Sequence, residues 1–231
     1  MAHREFKDRV YAQFARIGAA LSSDKRLELI DLLAQAPRNV EALAAETEMS
    51  LANTSQHLQA LKAAHLVETE RDGTRVVYRL AGDGILDLWL ALRGTAERHL
   101  AEVGKLVRDY GVEGVPPEKL SRHGVATLVR NDDIVLLDVR PAMEYTHGHI
   151  PGAVAVPIED LEARLPELPK DKKIVVYCRG AYCQFADEAV ALLRRRGIEA
   201  MRLEGGWQEW IAEHPRRENS NALRRGRAIR T

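Results

Sequence analysis

The sequence predicts two domains in one chain of 231 residues: a mainly α N-terminal half closed by a β-hairpin, then an α/β half with a parallel sheet. Three observations carry this. Apolar residues recur at helical spacing up to about Tyr110, with one interval where the period falls to two. A stretch rich in glycine and proline, GVEGVPPEKLSRHG, then breaks the pattern. Beyond it, short apolar runs alternate with amphipathic segments, the order of a βαβ architecture. The expected boundaries are residues 1–110, a linker at 111–118, a second domain at 119–215 and a tail at 216–231.

Composition narrows the function classes. Apolar residues make up 45% and charged residues 29%, as in a soluble globular protein. Lys plus Arg and Asp plus Glu each number 34, so any attraction to DNA must come from a local patch. The charged opening MAHREFKDRVYAQ does not resemble a secretory signal, and no run approaches the roughly 18 apolar residues of a membrane span. The chain is therefore expected in a reducing cytoplasm. There the two cysteines, Cys178 and Cys183, suggest chemistry or sensing rather than a structural disulfide. No internal repeat is evident.

In the first half, Leu27, Ile30, Leu33 and Ala34 form one helical stripe, and Val40, Leu43 and Ala44 a second. The segment LANTSQHLQALKAAHL places Leu58 and Leu61 on one side of a third helix, with Ser50 as its N-cap. LVETERDGTRVVYRLA then reads as two strands about Asp72-Gly73, a hairpin signal. A long helix is expected from about Ile85 to Tyr110.

Helix, turn, helix and hairpin in that order describe a winged helix-turn-helix. Its second helix would present Ser50, Asn53, Thr54, Ser55, Gln56, His57 and Gln59 to base edges in the major groove, where Asn and Gln can read adenine bidentately. Lys62, Arg71 and Arg75 would meet phosphates. The same polar face could equally be merely solvated. The residues Ser55, His57, Leu58, Leu61, Leu66 and Val67, within about 80 similar residues, resemble the ArsR family of bacterial repressors. That resemblance implies a homodimer paired through its first and last helices on double-stranded DNA, at an inverted-repeat operator. The cysteine pair that many metal-sensing members carry is missing from VEALAAETEMS. His99 and Glu102 on the last helix do not make up a full ligand set, so neither metal nor cofactor is expected.

In the second half, IVLLDVR and KIVVYC look like buried parallel strands, and VPIEDLEARLPEL and FADEAVALLRRRG like helices. Between the latter strand and helix lies CRGAYCQ, residues 178–184. A cysteine facing a helix N-terminus meets unpaired backbone N–H groups and the positive end of the dipole. With Arg179 adjacent, Cys178 is expected to have a lowered pKa. The loop Arg179, Gly180, Ala181, Tyr182 and Gln184 would cradle an anionic sulfur. The plainer alternative is an inert cysteine closing a core strand.

The string from Asp138, Val139 and Arg140 through Glu144, Tyr145 and Gly148–Ala153, with the closing GGW..W, resembles the rhodanese domain over about residues 119–213. The resemblance implies that Cys178 is a nucleophile accepting sulfane sulfur as a persulfide. Asp138, Arg140, Glu144 and His149 would brace the fold, and Trp207 and Trp210 would pack as core. Six residues from Cys178 to Cys183 match the short sulfur-handling ring; the related phosphatases use a longer one closed by arginine, where Gln184 stands here. Cys183 takes a position that rhodaneses often fill with a basic residue. It is either a resolving thiol for a persulfide on Cys178, giving a disulfide or polysulfide bridge, or a small residue opening a helix.

Three functions follow. The first is a repressor that senses reactive sulfur (persulfide, polysulfide or thiosulfate), coupled to DNA through the linker and dimerisation helices. The second is an active sulfurtransferase that uses the winged helix for dimerisation or DNA placement. The third is a repressor with an inert rhodanese unit. Six arginines against Glu218 in RRENSNALRRGRAIRT make the tail a basic, disordered segment.

Overall fold

A computed structural model of the chain describes residues 2–73, 75–109, 112, 119–169 and 171–214. The basic tail and all of the expected linker except Val112 fall outside these. The N-terminal domain runs α1 (Ala2–Leu21), α2 (Asp24–Leu33), β1 (Arg38–Asn39), α3 (Val40–Glu46), α4 (Leu51–Ala63), β2 (Val67–Asp72), β3 (Arg75–Leu80), α5 (Asp83–His99) and α6 (Ala101–Asp109). Local chemistry starts the short helices. Ser23, Asn39 and Ser50 each accept a hydrogen bond from the backbone N–H three residues on, satisfying orphan donors of the first turn. The wing is antiparallel, with Gly73 at φ +61° taking the left-handed turn conformation. Leu29, Ile30, Leu43, Leu58, Leu61 and Leu66 close the core beneath it.

The single long helix expected over 85–110 is instead two. Leu100 turns extended, at φ −110° and ψ 101°. Arg98 and His99 fill the last turn of α5, and Glu102 the first turn of α6. Each set of charges complements the dipole of its own helix end, which favours two termini here. His99 and Glu102 therefore do not share one helix.

The C-terminal domain follows as β4 (Lys119–Leu120), α7 (Val125–Arg130), β5 (Ile134–Asp138), α8 (Ala142–His147), β6 (Val154–Ala155), α9 (Leu161–Arg164), β7 (Lys173–Tyr177), α10 (Phe185–Arg195), β8 (Ala200–Leu203) and α11 (Trp207–Glu213). All five strands are parallel, in the order β4-β8-β7-β5-β6. The helix expected in VPIEDLEARLPEL shrinks to α9 between two 3-10 turns, because Pro166 cannot continue an α-helical ladder.

Strand parity divides the core into two layers. Ile174, Val176 and Cys178 face α9 and α10, while Val175 and Tyr177 face α7 and α11. At the end of β5, Arg140 and Asp138 form a fully buried ion pair at 2.6 Å. The Tyr177 hydroxyl donates to Asp138, and Arg140 donates to the Gly148 carbonyl, so the buried charges are compensated. Trp207 and Trp210 pack in the core. Among the described residues no helix is long and apolar enough to cross a membrane.

Candidate functional site

The loop Cys178–Cys183 leaves β7 and turns into the N-terminus of α10. Its shape is set by donors from outside it. The Trp207 and Gln208 amides donate to the carbonyls of Cys178 and Arg179 at 3.0 and 3.1 Å. Buried Arg202 donates to the carbonyls of Gly180 and Ala181 at 3.0 and 2.9 Å. With the carbonyls drawn outward, the amides of Arg179 and Phe185 reach the sulfur of Cys183, and that of Ala186 reaches the sulfur of Cys178. Gly206 permits this closeness, since a Cβ there would run into the Cys178 carbonyl.

The two thiols lie in hydrogen-bonding contact, and they differ in burial. Cys178 is fully buried, and its S–H donates to the Cys183 carbonyl at 3.3 Å. Burial pushes its pKa well up, against the expectation of a lowered value. Continuing the parity of β7 places its sulfur under α10, away from solvent. Cys183 is only partly buried. The Cys178 S–H, shared between the carbonyl and the sulfur of Cys183, the Arg179 and Phe185 amides and the Arg179 guanidinium favour its thiolate against the cost of burial, bringing its pKa down to about 7. Of the two thiols Cys183 alone lines the cavity between the domains.

The surroundings of the loop also differ from expectation. The sequence predicts coupling confined to the linker and the dimerisation helices, yet the N-terminal domain touches the loop directly. Arg179 pairs with Glu144 of its own domain at 2.7 Å and with Glu46 of α3 at 2.9 Å. Arg38, 3% exposed, closes the ring by pairing with the same two carboxylates. Glu144 is fully buried between the guanidiniums, so it braces the domain interface as well as the fold. Gln35 of the N-terminal domain donates to the Arg179 carbonyl at 3.4 Å and accepts from Arg140 at 3.3 Å. The Tyr182 hydroxyl donates to Glu97 of α5 at 2.6 Å. Gln208 donates to Asp31, and Arg93 pairs with Glu209. Between the domains remains a cavity of about 580 Å³ lined by the loop, α2 and α5.

Sequence reasoning misses Gln35, Arg38, Glu46, Arg93 and Arg202. Their partners lie up to 144 residues away along the chain, and no local pattern marks them. On the DNA side, α4 exposes Asn53, Gln56 and Gln59, with Ser50 at its cap and Ser55 and His57 half-buried. Lys62, Arg71 and Arg75 are exposed beside and along the wing. Thr54, expected at the base edges, is instead fully buried, and its hydroxyl donates to the Ser50 carbonyl at 3.0 Å. It falls one turn before Leu58, on the core stripe of α4.

Residues 23–69 match the model of the bacterial regulatory protein arsR family, and residues 121–213 that of the rhodanese-like domain. The chain is 46% identical over 198 residues to the HTH-type transcriptional regulator Rv0324 of Mycobacterium tuberculosis, covering 86% of this chain and 87% of that one. This chain is an arsR-family regulator with a rhodanese-like domain. Over 100 residues the regulator is also 32% identical to a sulfurtransferase of Allochromatium vinosum, covering 43% of this chain and 88% of that protein. A solution structure of the homodimeric winged helix-turn-helix DNA-binding domain (fragment 1–100) of Mb0332 from Mycobacterium bovis is 46% identical. It covers 41% of this chain and 87% of that chain, with a TM-score of 0.40.

Proposed function

We propose that this regulator is a repressor that responds to reactive sulfur, releasing its operator when the Cys178–Cys183 loop takes up sulfane sulfur. The observation that carries the reading is the direct grip of the DNA-binding domain on that loop, above all the ion pairs of Arg179 with Glu46 and Glu144. Glu46 ends α3, the helix before the recognition helix, so a displaced Arg179 changes the support of α4. A coupling of about 1–3 kcal/mol suffices for a 5- to 150-fold change in operator affinity.

The chemistry starts at Cys183. Its thiolate attacks the outer sulfur of a persulfide, R–S–SH. A new S–S bond forms on Cys183 and the donor's S–S bond breaks. The R–S⁻ group leaves with the bonding electron pair and takes up the proton that Cys183 had released. Cys178 then attacks the inner sulfur of the Cys183 persulfide; the S–S bond to the outer sulfur breaks, the hydrosulfide leaves with the proton of Cys178 as hydrogen sulfide, and a disulfide forms. Attack on a longer sulfur chain leaves a polysulfide bridge instead. Either bridge pulls on the segment that carries Arg179 and Tyr182.

On DNA, α4 lies in the major groove with Asn53, Gln56 and Gln59 toward the bases, while Lys62, Arg71 and Arg75 meet phosphates. The working unit is a homodimer on an inverted repeat. Phe6, Tyr11 and Phe14 of α1, with Leu106 and Val107 of α6, supply exposed apolar side chains for that pairing. The likeness to a sulfurtransferase favours a second reading, turnover of sulfur between small thiols, which steady-state assay with thiosulfate and an acceptor thiol tests.

Intact mass spectrometry after treatment with inorganic polysulfide tests the main reading. Wild-type protein gains whole sulfur atoms on the peptide bearing both thiols. Cys178→Ser still loads sulfur but forms no bridge, and Cys183→Ser fails to load. Loading of Cys183→Ser at the wild-type rate would contradict the assignment.

A further inference from the structure

The cavity over the loop is a composite of the two domains, with carboxylates along its α2 side. From α2 come Asp24, Glu28 and Asp31, and from α3 comes Glu46. Glu28 is paired with Lys25, and Glu46 with Arg38 and Arg179, so the charge this wall offers a ligand comes from Asp24 and Asp31. The cations that face it, Arg93 and Arg179, are already engaged. Arg93 is held by Glu97 and Glu209, and Arg179 by Glu46 and Glu144. Asp31 accepts from Trp89 Nε1 and Gln208 Nε2, each at 2.9 Å. These neutral donors fix the carboxylate without cancelling its charge. Trp89 and Phe185 add aromatic surface to the same lining.

A reacting molecule must approach Cys183 through this space, so it meets carboxylates and aromatic rings. A dianion such as thiosulfate finds both lining guanidiniums already paired and is repelled by the α2 wall. An ammonium group gains both the carboxylates and the aromatic faces. The volume suits a small molecule.

We propose that this interdomain cavity is the sulfur-donor site, and that it selects a small organic persulfide bearing an ammonium group over anionic donors. The proposal rests on sulfur loading of the loop and adds the donor's chemical class. The DNA-binding domain thereby supplies specificity residues to the sulfur site, with Asp24 and Asp31 as the anchors for the cationic end. The transfer step is unchanged: the outer sulfur moves to Cys183, and the donor leaves as its amino-thiol, carrying the proton.

The test compares two hydropersulfides of similar size and opposite charge, those of cysteamine and of mercaptoacetate, on the full chain. Loading is followed by intact mass. The cysteamine persulfide is expected to load about tenfold faster than the mercaptoacetate persulfide at low salt, and added salt narrows the gap. In Asp24→Asn/Asp31→Asn the cationic donor slows towards the anionic one. Should that variant fold poorly, the salt dependence of the wild-type protein decides alone. Equal rates for both donors, insensitive to salt, would overturn donor selection while leaving sulfur loading intact. Failure of both donors to load would overturn the sulfur reading itself, and donor selection with it.

Discussion

Cys183 owes its acidity to neighbours that sit close along the chain: the Cys178 side chain, the amides of Arg179 and Phe185, and the Arg179 guanidinium. Because the folded-state value is lowered to about 7, the reactive thiolate accumulates as pH rises through that point and is lost below it. Alkylation of Cys183 by iodoacetamide should therefore rise about tenfold per pH unit below neutrality and level off above about pH 8. A profile still climbing above pH 9 would contradict the low value. The six-residue spacing of the two thiols is readable in the sequence, since ring length is a local property. Their unequal burial is harder to read, although the parity of Ile174, Val176 and Cys178 holds a clue. Alternation along a strand buried on both faces sends Cys178 into the layer beneath α10.

At the scale of elements, α4 carries the DNA-reading claim. Asn53→Ala or Gln56→Ala should each weaken operator binding by about 1–3 kcal/mol, measured by titration at fixed salt, while leaving thermal stability unchanged. Thr54→Ala should do the opposite, lowering the melting temperature through loss of a buried hydroxyl bonded to the Ser50 carbonyl. If Asn53→Ala and Gln56→Ala bind DNA as tightly as wild type, α4 is not the reading helix. The helix start at Ser50 and the Asp72-Gly73 hairpin are legible because caps and turns are encoded within a few residues. The break at Leu100 is not, since neither glycine nor proline marks it. Thr54 misleads because its polarity suggests a reading residue, while its one-turn spacing from Leu58 puts it on the core stripe.

For the whole molecule, the decisive feature is that the two domains share one buried polar interface. Arg38, Glu46, Glu144 and Arg179 form a ring drawn from β1, α3, α8 and the Cys178–Cys183 loop. Removing one partner of such a ring strands a buried charge, so the arrangement has few intermediate states and suits a switch. The sequence points to Glu144 as a brace and to Arg179 as part of the loop, but nothing in it links either to Arg38 or Glu46, which look like ordinary solvated charges. Only the folded chain brings Glu46 and Arg179, 133 residues apart, into contact. The most direct test is operator affinity of the full chain before and after loading with an organic persulfide, in wild type and in Glu46→Gln. The wild-type protein should lose affinity about 5- to 150-fold on loading, while Glu46→Gln binds DNA but responds much less. Unchanged wild-type affinity, despite sulfur on the loop confirmed by mass, would contradict the account.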